Sequence, residues 1–160
     1  MDFASLASFG VFFALNFAAA SSGAIFRPGG WYAGLAKPGW TPPNWAFPAV
    51  WSVLYLMNAV SGWLVWQAAG GAAGLALGVY ALSLAVNASW SAVFFGLRRM
   101  DLGLVNVVLL WLSILAVAAL FWPFSPVAAA LQLPYLLWVT IATALNLTVL
   151  RMNRSPAGQS

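Results

Sequence analysis

The chain has 160 residues, of which 64% are apolar and 5% are charged, and its mean hydropathy is +0.93. A soluble domain carries about 25% charged residues, so this composition excludes an ordinary soluble protein and indicates an integral membrane protein. The sequence contains no cysteine and no histidine, and its two acidic side chains are Asp2 and Asp101. We therefore predict no metal site, no disulfide and no conventional catalytic residues. The net charge of +4 rests on six basic residues, too few to indicate nucleic-acid binding.

Five apolar stretches are long enough to cross a bilayer, at about residues 3–26, 46–69, 74–97, 102–122 and 126–150. Only α-helices and closed barrels satisfy every backbone polar group in hydrocarbon. Barrel strands alternate apolar and polar residues, whereas stretches such as 107–120 are apolar on all sides. The sequence therefore predicts an all-α membrane protein, a single domain over residues 1–160 built as a five-transmembrane-helix bundle.

Five passes place every basic residue on the same side of the membrane: Arg27, Lys37, Arg98, Arg99, Arg151 and Arg154. The positive-inside rule predicts that this side is cytoplasmic if the host is a bacterial inner membrane. The first loop and the C-terminal tail would then lie in the cytoplasm. We expect the tail, residues 153–160, to be polar and without regular structure.

The longest loop, residues 27–45, combines four prolines with four large aromatic residues, Trp31, Tyr32, Trp40 and Trp45. Proline stiffens the chain, and the rings need partners to bury against. We therefore predict that this loop folds back as a lid over the basic end of the bundle. The alternative is that the rings lie in the lipid headgroup layer, where Trp and Tyr are common.

Several predicted helices carry aromatic and polar residues on one face at helical spacing. These residues are Trp51, Tyr55, Asn58 and Gly62 in the second, Tyr80, Ser83, Asn87, Trp90 and Ser91 in the third, Asn106 in the fourth, and Tyr135, Trp138, Ala142 and Leu145 in the fifth. Polar side chains within a membrane face the bundle or a cavity. The pattern predicts an apolar pocket beneath the loop, walled by indole rings and with a few amides to orient a ligand. The alternative is that the amides link helices and the Trp side chains fill space.

The opposite face of the third predicted helix is made of small residues, Gly74, Gly78, Ala81, Ala85 and Ser89. Small side chains let two helix backbones approach closely, and this packing drives helix association in membranes. Because the polar face of this helix points inward, we expect the small-residue strip to contact a second copy in a homodimer. A neighbouring helix of the same chain is the alternative partner.

Three ordered motifs cover most of the chain. They read Trp31-Tyr32-x2-Leu35-x-Lys37-Pro38-x-Trp40-x-Pro42-Pro43-x-Trp45-x-Phe47-Pro48-x2-Trp51-x3-Tyr55, Asn87-x2-Trp90-Ser91-x2-Phe94-Phe95-Gly96, and Pro134-Tyr135-x2-Trp138-x3-Ala142-Thr143-x-Leu145-Asn146. This pattern resembles the TspO/MBR family, the tryptophan-rich sensory proteins related to the mitochondrial translocator or peripheral benzodiazepine receptor. The resemblance implies a five-helix bundle, usually dimeric, with a pocket under the first loop that binds porphyrins.

The resemblance also implies which residues surround the ligand: Trp40, Trp51, Tyr55, Asn87, Trp90, Trp138, Ala142 and Leu145. We add Asn106 from its position on the fourth helix. The expected function is a membrane porphyrin-binding sensor or regulatory protein, with protoporphyrin IX as the ligand and no obligatory cofactor. A porphyrin transporter and a light-dependent porphyrin-degrading enzyme are the alternatives. Because His and Cys are absent, haem iron would lack a strong axial ligand, which favours metal-free porphyrin.

Overall fold

The computed structural model describes residues 2–154. Its α-helices are α1 (Phe3–Ile25), α2 (Gly30–Ala33), α3 (Ala46–Ala69), α4 (Gly74–Ser91), α5 (Met100–Phe121), α6 (Pro126–Ala130) and α7 (Gln132–Asn153). No β-strand occurs within the described residues, so the predicted all-α class is confirmed there. Most of the expected unstructured tail, residues 155–160, lies outside the described residues. The expectation was wrong for Asn153, which is the last residue of α7.

Four helical stretches within residues 2–154 are long and apolar enough to cross a membrane. One of them, Ala46–Gly96, is 51 residues long, far more than the roughly 20 residues that span a bilayer. This stretch reverses direction at the 3₁₀ turn Gly70–Ala73, where Gly70 adopts a positive φ of 51°. Its two arms are α3 and α4, and the Tyr80 hydroxyl of α4 donates to the Asn58 carbonyl of α3 at 3.1 Å. The described chain therefore crosses the bilayer five times, as predicted.

Contacts between distant segments define the two ends of the bundle. The loop after α1 meets the end of α7, and Phe26 lies against Gly96, where an added Cβ would stand 2.9 Å from the Phe26 ring. The six basic residues belong to the segments at this end, which we call the basic end. The opposite end carries the start of α1, the turn Gly70–Ala73 and the junction between α5 and α6.

The fifth span is interrupted at Leu131, between α6 and α7. Pro134 follows three residues later and has no backbone N–H to donate to the carbonyl four residues before it. The helix therefore breaks close to where proline chemistry predicts a kink.

A buried hydrogen-bonded network, which we call the linked polar cluster, connects α1, α3, α4 and α7 from mid-bundle towards the opposite end. Its members are Asn16, Asn58, Ser61, Tyr80 and Gln132. The Asn58 amide donates to Asn16 Oδ1 at 2.9 Å, and the Gln132 amide donates to Asn58 Oδ1 at 2.9 Å and to Ser61 Oγ at 2.8 Å. Asn16 in turn donates to the Phe12 carbonyl and to the Tyr80 hydroxyl. The interpretation of amides as links between helices is therefore right for Asn58.

Candidate ligand-binding site

Three of the predicted aromatic ligand residues converge in the half of the bundle next to the basic end. Trp51 of α3, Trp90 of α4 and Trp138 of α7 all pack against one hydrophobic core, and Ala142 joins them. The buried members of that core are Leu54, Val107, Leu110, Ile114, Tyr135 and Val139. Three of the membrane-spanning helices, α3, α4 and α7, thus bring predicted residues together around a core to which α5 contributes unpredicted apolar side chains.

The rings at this centre contact one another directly. Trp90 stacks on Phe94 with a centroid distance of 4.9 Å and an interplanar angle of 18°. Trp51 lies 5.5 Å from Tyr55 and meets Tyr135 edge to face at 5.9 Å. The space between the helices is therefore filled by aromatic side chains that pack on each other.

The end of α4 shapes this aromatic group. After Ser91 the helix widens into a π-helical turn, Ala92–Gly96, a feature that is frequent at functional sites. The turn places Phe94 and Phe95 next to the Trp90 ring, at 4.9 and 5.5 Å. Gly103 of α5 lets Phe94 approach, because a Cβ at this position would stand 2.8 Å from the Phe94 ring.

Buried polar atoms without a hydrogen-bond partner in the described part of the chain gather in the same half of the bundle. They are Trp90 Nε1, Trp138 Nε1, Asn106 Oδ1 and both amide atoms of Asn146. Leaving one buried donor or acceptor unpaired costs about 1–3 kcal/mol, and folded proteins pair the large majority. These four side chains, which we call the unpartnered polar cluster, therefore indicate that a ligand or ordered water supplies the missing partners.

Asn87 and Asn106, the two amides of the predicted ligand set, already bond to side chains of the same chain. The Asn87 amide donates to the Tyr135 hydroxyl, and the Asn106 amide donates to Ser89 Oγ at 2.6 Å. Ser89, which was assigned to the dimer strip, is half-buried and faces α5 through this bond. Asn87 is therefore held in place, and the Asn106 side chain has one amide atom left for a ligand.

Asn146 was missed in the predicted set of ligand residues. It is 3% exposed and closes the sequence Tyr135, Trp138, Ala142, Asn146, whose spacings of three, four and four define one helix face. The prediction took Leu145 at the end of this stripe, which is also buried, at 8% exposed. The helical spacing could have found Asn146.

The first half of the long loop is docked on the basic end. Trp31 and Tyr32 pack edge to face against Phe94, at 5.8 and 6.2 Å. The Ala36 N–H donates to Asn153 Oδ1, and Asn153 Nδ2 donates to the Ala36 carbonyl, both at 2.9 Å. This segment closes the basic end as the lid prediction requires.

Charge at the loop is held close to its aromatic residues. The Lys37 ammonium stands 4.7 Å from the centre of the Tyr32 ring, and burial raises the pKa of the Tyr32 hydroxyl.

The second half of the loop is more open, because Trp40 and Trp45 are 51% and 73% exposed. These two rings fit the headgroup-layer alternative, so Trp40 does not join the other predicted ligand residues.

The rest of the predicted dimer strip lies on the outer surface of α4. Gly74, Gly78, Ala81 and Ala85 are exposed. Within residues 2–154, a Cβ added at Gly74 or Gly78 would meet nothing within 4 Å. The strip is therefore open on the outer surface of the described bundle.

Comparison with known proteins places this bundle in a family. The TspO/MBR family profile matches residues 10–152. Protein CrtK of Rhodobacter capsulatus is 44% identical over 151 residues, covering 93% of this chain and 94% of that protein. The tryptophan-rich sensory protein of Cereibacter sphaeroides is 41% identical, with 92% of each chain covered. The translocator protein of Homo sapiens is 40% identical, with 80% of this chain and 78% of that protein covered. The chain is a membrane protein that belongs to the TspO/MBR family.

Proposed function

We propose that this protein is a membrane sensor that binds a tetrapyrrole in the half of the bundle next to the basic end. The observation that carries the proposal is the unpartnered polar cluster, set among the rings of Trp51, Trp90 and Trp138. The resemblance of the motifs implies a porphyrin as the ligand. The name of the Cereibacter sphaeroides relative, tryptophan-rich sensory protein, supports a sensory role.

The chemistry of the cluster suits a flat, mostly apolar ligand. Indole rings stack on an extended aromatic disc, and such contacts add about 0.5–1.5 kcal/mol beyond the burial of area. Trp90 and Trp138 each offer an N–H donor, and Asn106 offers an acceptor. The ligand's polar edge can therefore be fixed without any charged group in the protein interior.

The carboxylate arms of a porphyrin need a different environment. A carboxylate in the bundle interior would lack a cation, because the basic residues lie at the basic end. Lys37, held over the Tyr32 ring, and Arg27 are cations at that end. The proposed ligand therefore lies with its ring among the Trp residues and its acids towards the loop.

Titration with protoporphyrin IX in the dark tests this proposal. Because the Trp and Phe rings pack on each other, the bound porphyrin must part them and lie in contact with them. We therefore expect saturable quenching of Trp fluorescence, at one porphyrin per chain. The absence of saturable binding would contradict the proposal. Illumination of the complex distinguishes the enzyme alternative by new pigment products, and uptake into sealed liposomes distinguishes the transporter by net porphyrin movement.

We also propose a homodimer that forms through Gly74, Gly78, Ala81 and Ala85 of α4. Their exposure and the open space beside the glycines support this assignment. The double variant Ala81→Phe, Ala85→Phe should abolish chemical cross-linking between chains, because a close-packed strip cannot admit two aromatic rings. Porphyrin binding should persist, since the ligand residues of α4 point inward. A fully cross-linked double variant would contradict this interface.

We propose in addition that the basic end faces the cytoplasm in an inner membrane. The support is the location of all six basic residues at that end. A reporter enzyme fused after the last residue should then be active only in the cytoplasm. A fusion active in the periplasm would reverse the orientation.

A further inference from the structure

An apolar groove of about 450 Å³ runs along the outer surface between α3 and α7. Its walls include Val53 of α3 and Leu137 of α7, which are 57% and 65% exposed and would contact lipid. On α3 the groove extends from Ala49 to Met57, in the half of the helix next to the basic end. The groove therefore opens to the bilayer beside Trp138, one member of the unpartnered polar cluster.

Three side chains belong both to this groove and to the interior. Val50, Leu54 and Trp138 line the groove, and all three also pack in the core that Trp51 and Trp90 surround. The Trp138 ring is half-buried, and its Nε1 is buried without a partner. The Trp138 side chain is thus a common wall between the lipid phase and the candidate ligand site.

The surroundings of Trp138 favour its movement. Helices α3 and α7 pack together much more sparsely than α5 and α7. Pro134, which also lines the groove, lies at the start of α7 just after the helix break at Leu131. Among the described residues the Trp138 indole N–H has no hydrogen bond that would have to break, and the Trp138 ring meets Phe47 edge to face at 5.9 Å.

The basic end offers a more obstructed path. The two hydrogen bonds between Asn153 and Ala36 join the loop to α7, and Trp31 and Tyr32 are packed on Phe94. A ligand that passed under the loop would have to separate these contacts. A ligand dissolved in the bilayer would have to displace the side chains that the groove shares with the core, Trp138 first among them.

We propose that the hydrophobic ligand enters and leaves the site laterally from the bilayer, through the groove between α3 and α7, with Trp138 as the gate. This inference rests on the proposed function, because it needs a membrane-soluble ligand in the interior site. The ligand's ring would slide past Trp138 while its acidic arms stay at the headgroup layer of the basic end. On such a route the width of the groove sets the rates of ligand association and dissociation, while the contacts in the interior site set the affinity.

Protein reconstituted in phosphatidylcholine vesicles provides the test, with protoporphyrin IX exchange followed by stopped-flow absorbance of the porphyrin. The variant Val53→Trp fills the groove and should slow both association and dissociation about tenfold, which is about 1.4 kcal/mol of added barrier. The dissociation constant should stay within about twofold, because both rates fall together.

The matched control is Val108→Trp. Val108 lies in a second outward groove of about 350 Å³, between α5 and α7, which does not include Trp138. This variant should exchange porphyrin at the rate of the unmodified protein. Asn153→Ala, which releases the loop from α7, should also leave both rates unchanged.

Three outcomes would overturn the lateral route. They are unchanged rates in Val53→Trp, equal slowing in Val108→Trp, and faster exchange in Asn153→Ala, which would place the path under the loop. If the unmodified protein binds no porphyrin, the proposed function fails instead. The failures of the two proposals are therefore distinguishable.

Discussion

The linked polar cluster and the unpartnered polar cluster use the same kinds of side chain in opposite ways. Asn58 donates to Asn16 and accepts from Gln132, so both of its amide atoms are paired. Asn146, which is equally buried, has no partner for either atom in the described chain. In the proposed account, an amide inside this bundle marks the ligand site only when the described chain leaves it unpaired.

The two clusters also differ in their effect on stability. Interhelical hydrogen bonds in membranes contribute on average about 0.6 kcal/mol each, so the linked polar cluster stabilises the bundle modestly. An unpaired buried group costs about 1–3 kcal/mol. The unpartnered polar cluster therefore costs free energy in the empty protein, and the proposed ligand would recover that cost by supplying partners.

The largest expected effect on stability comes from Asn58→Leu in the linked polar cluster. The substitution leaves Asn16 Oδ1 without its donor and removes one acceptor of Gln132, so the free energy of unfolding should fall by about 2 kcal/mol. Thermal unfolding in detergent micelles measures this loss. Porphyrin affinity per folded molecule should not change. An unaltered unfolding midpoint would mean that this network contributes nothing.

A smaller effect, on binding, is expected for Trp138→Phe. The change keeps an apolar ring but removes the indole N–H and part of the stacking face, so porphyrin affinity should fall roughly two- to twelvefold. The matched control is Trp63→Phe towards the opposite end, where Trp63 Nε1 donates to the Ser5 carbonyl at 3.2 Å. The control should lose a little stability and no affinity. Equal loss of affinity in both variants would contradict the assignment of porphyrin binding to the half of the bundle next to the basic end.

The smallest effect is expected at the surface, outside both clusters. The Arg99 guanidinium donates to the two carboxylate oxygens of Asp101 at 2.8 and 2.6 Å. Because both side chains are exposed, Asp101→Asn should barely shift the thermal midpoint at pH 7.

Much of the fold could be predicted from the sequence, because a bilayer admits few backbone structures. The predicted spans at 3–26 and 102–122 correspond closely to Phe3–Ile25 and Met100–Phe121. Apolar length alone does not separate α3 from α4, which are joined by a short 3₁₀ turn. The prediction of two separate spans depended instead on the thickness of the bilayer, which a single helix crosses with about 20 residues.

The candidate site could be predicted only in part, because hydrogen-bond partners come from tertiary contacts. Helical spacing brought Trp51, Trp90 and Trp138 to one centre. It could not tell that Asn58 would pair with a residue 42 positions away while Asn146 would stay unpaired. The loop shows the same limit, since Trp31 docks on Phe94, which the π-helical turn at the end of α4 positions.

The central claim is that the unpartnered polar cluster is the ligand site, and the variant Asn146→Leu tests it most directly. Leucine has a similar size and removes two unpaired polar atoms, so the empty protein should be as stable as the unmodified one or more stable by about 1 kcal/mol. The affinity for protoporphyrin IX, measured by titration in the dark, should fall by roughly two- to twelvefold because the ligand loses about one hydrogen-bonding partner. A stable variant with reduced affinity is the predicted result. A variant that is destabilised while its affinity per folded molecule stays unchanged would contradict the account, because Asn146 would then be a structural amide like Asn58.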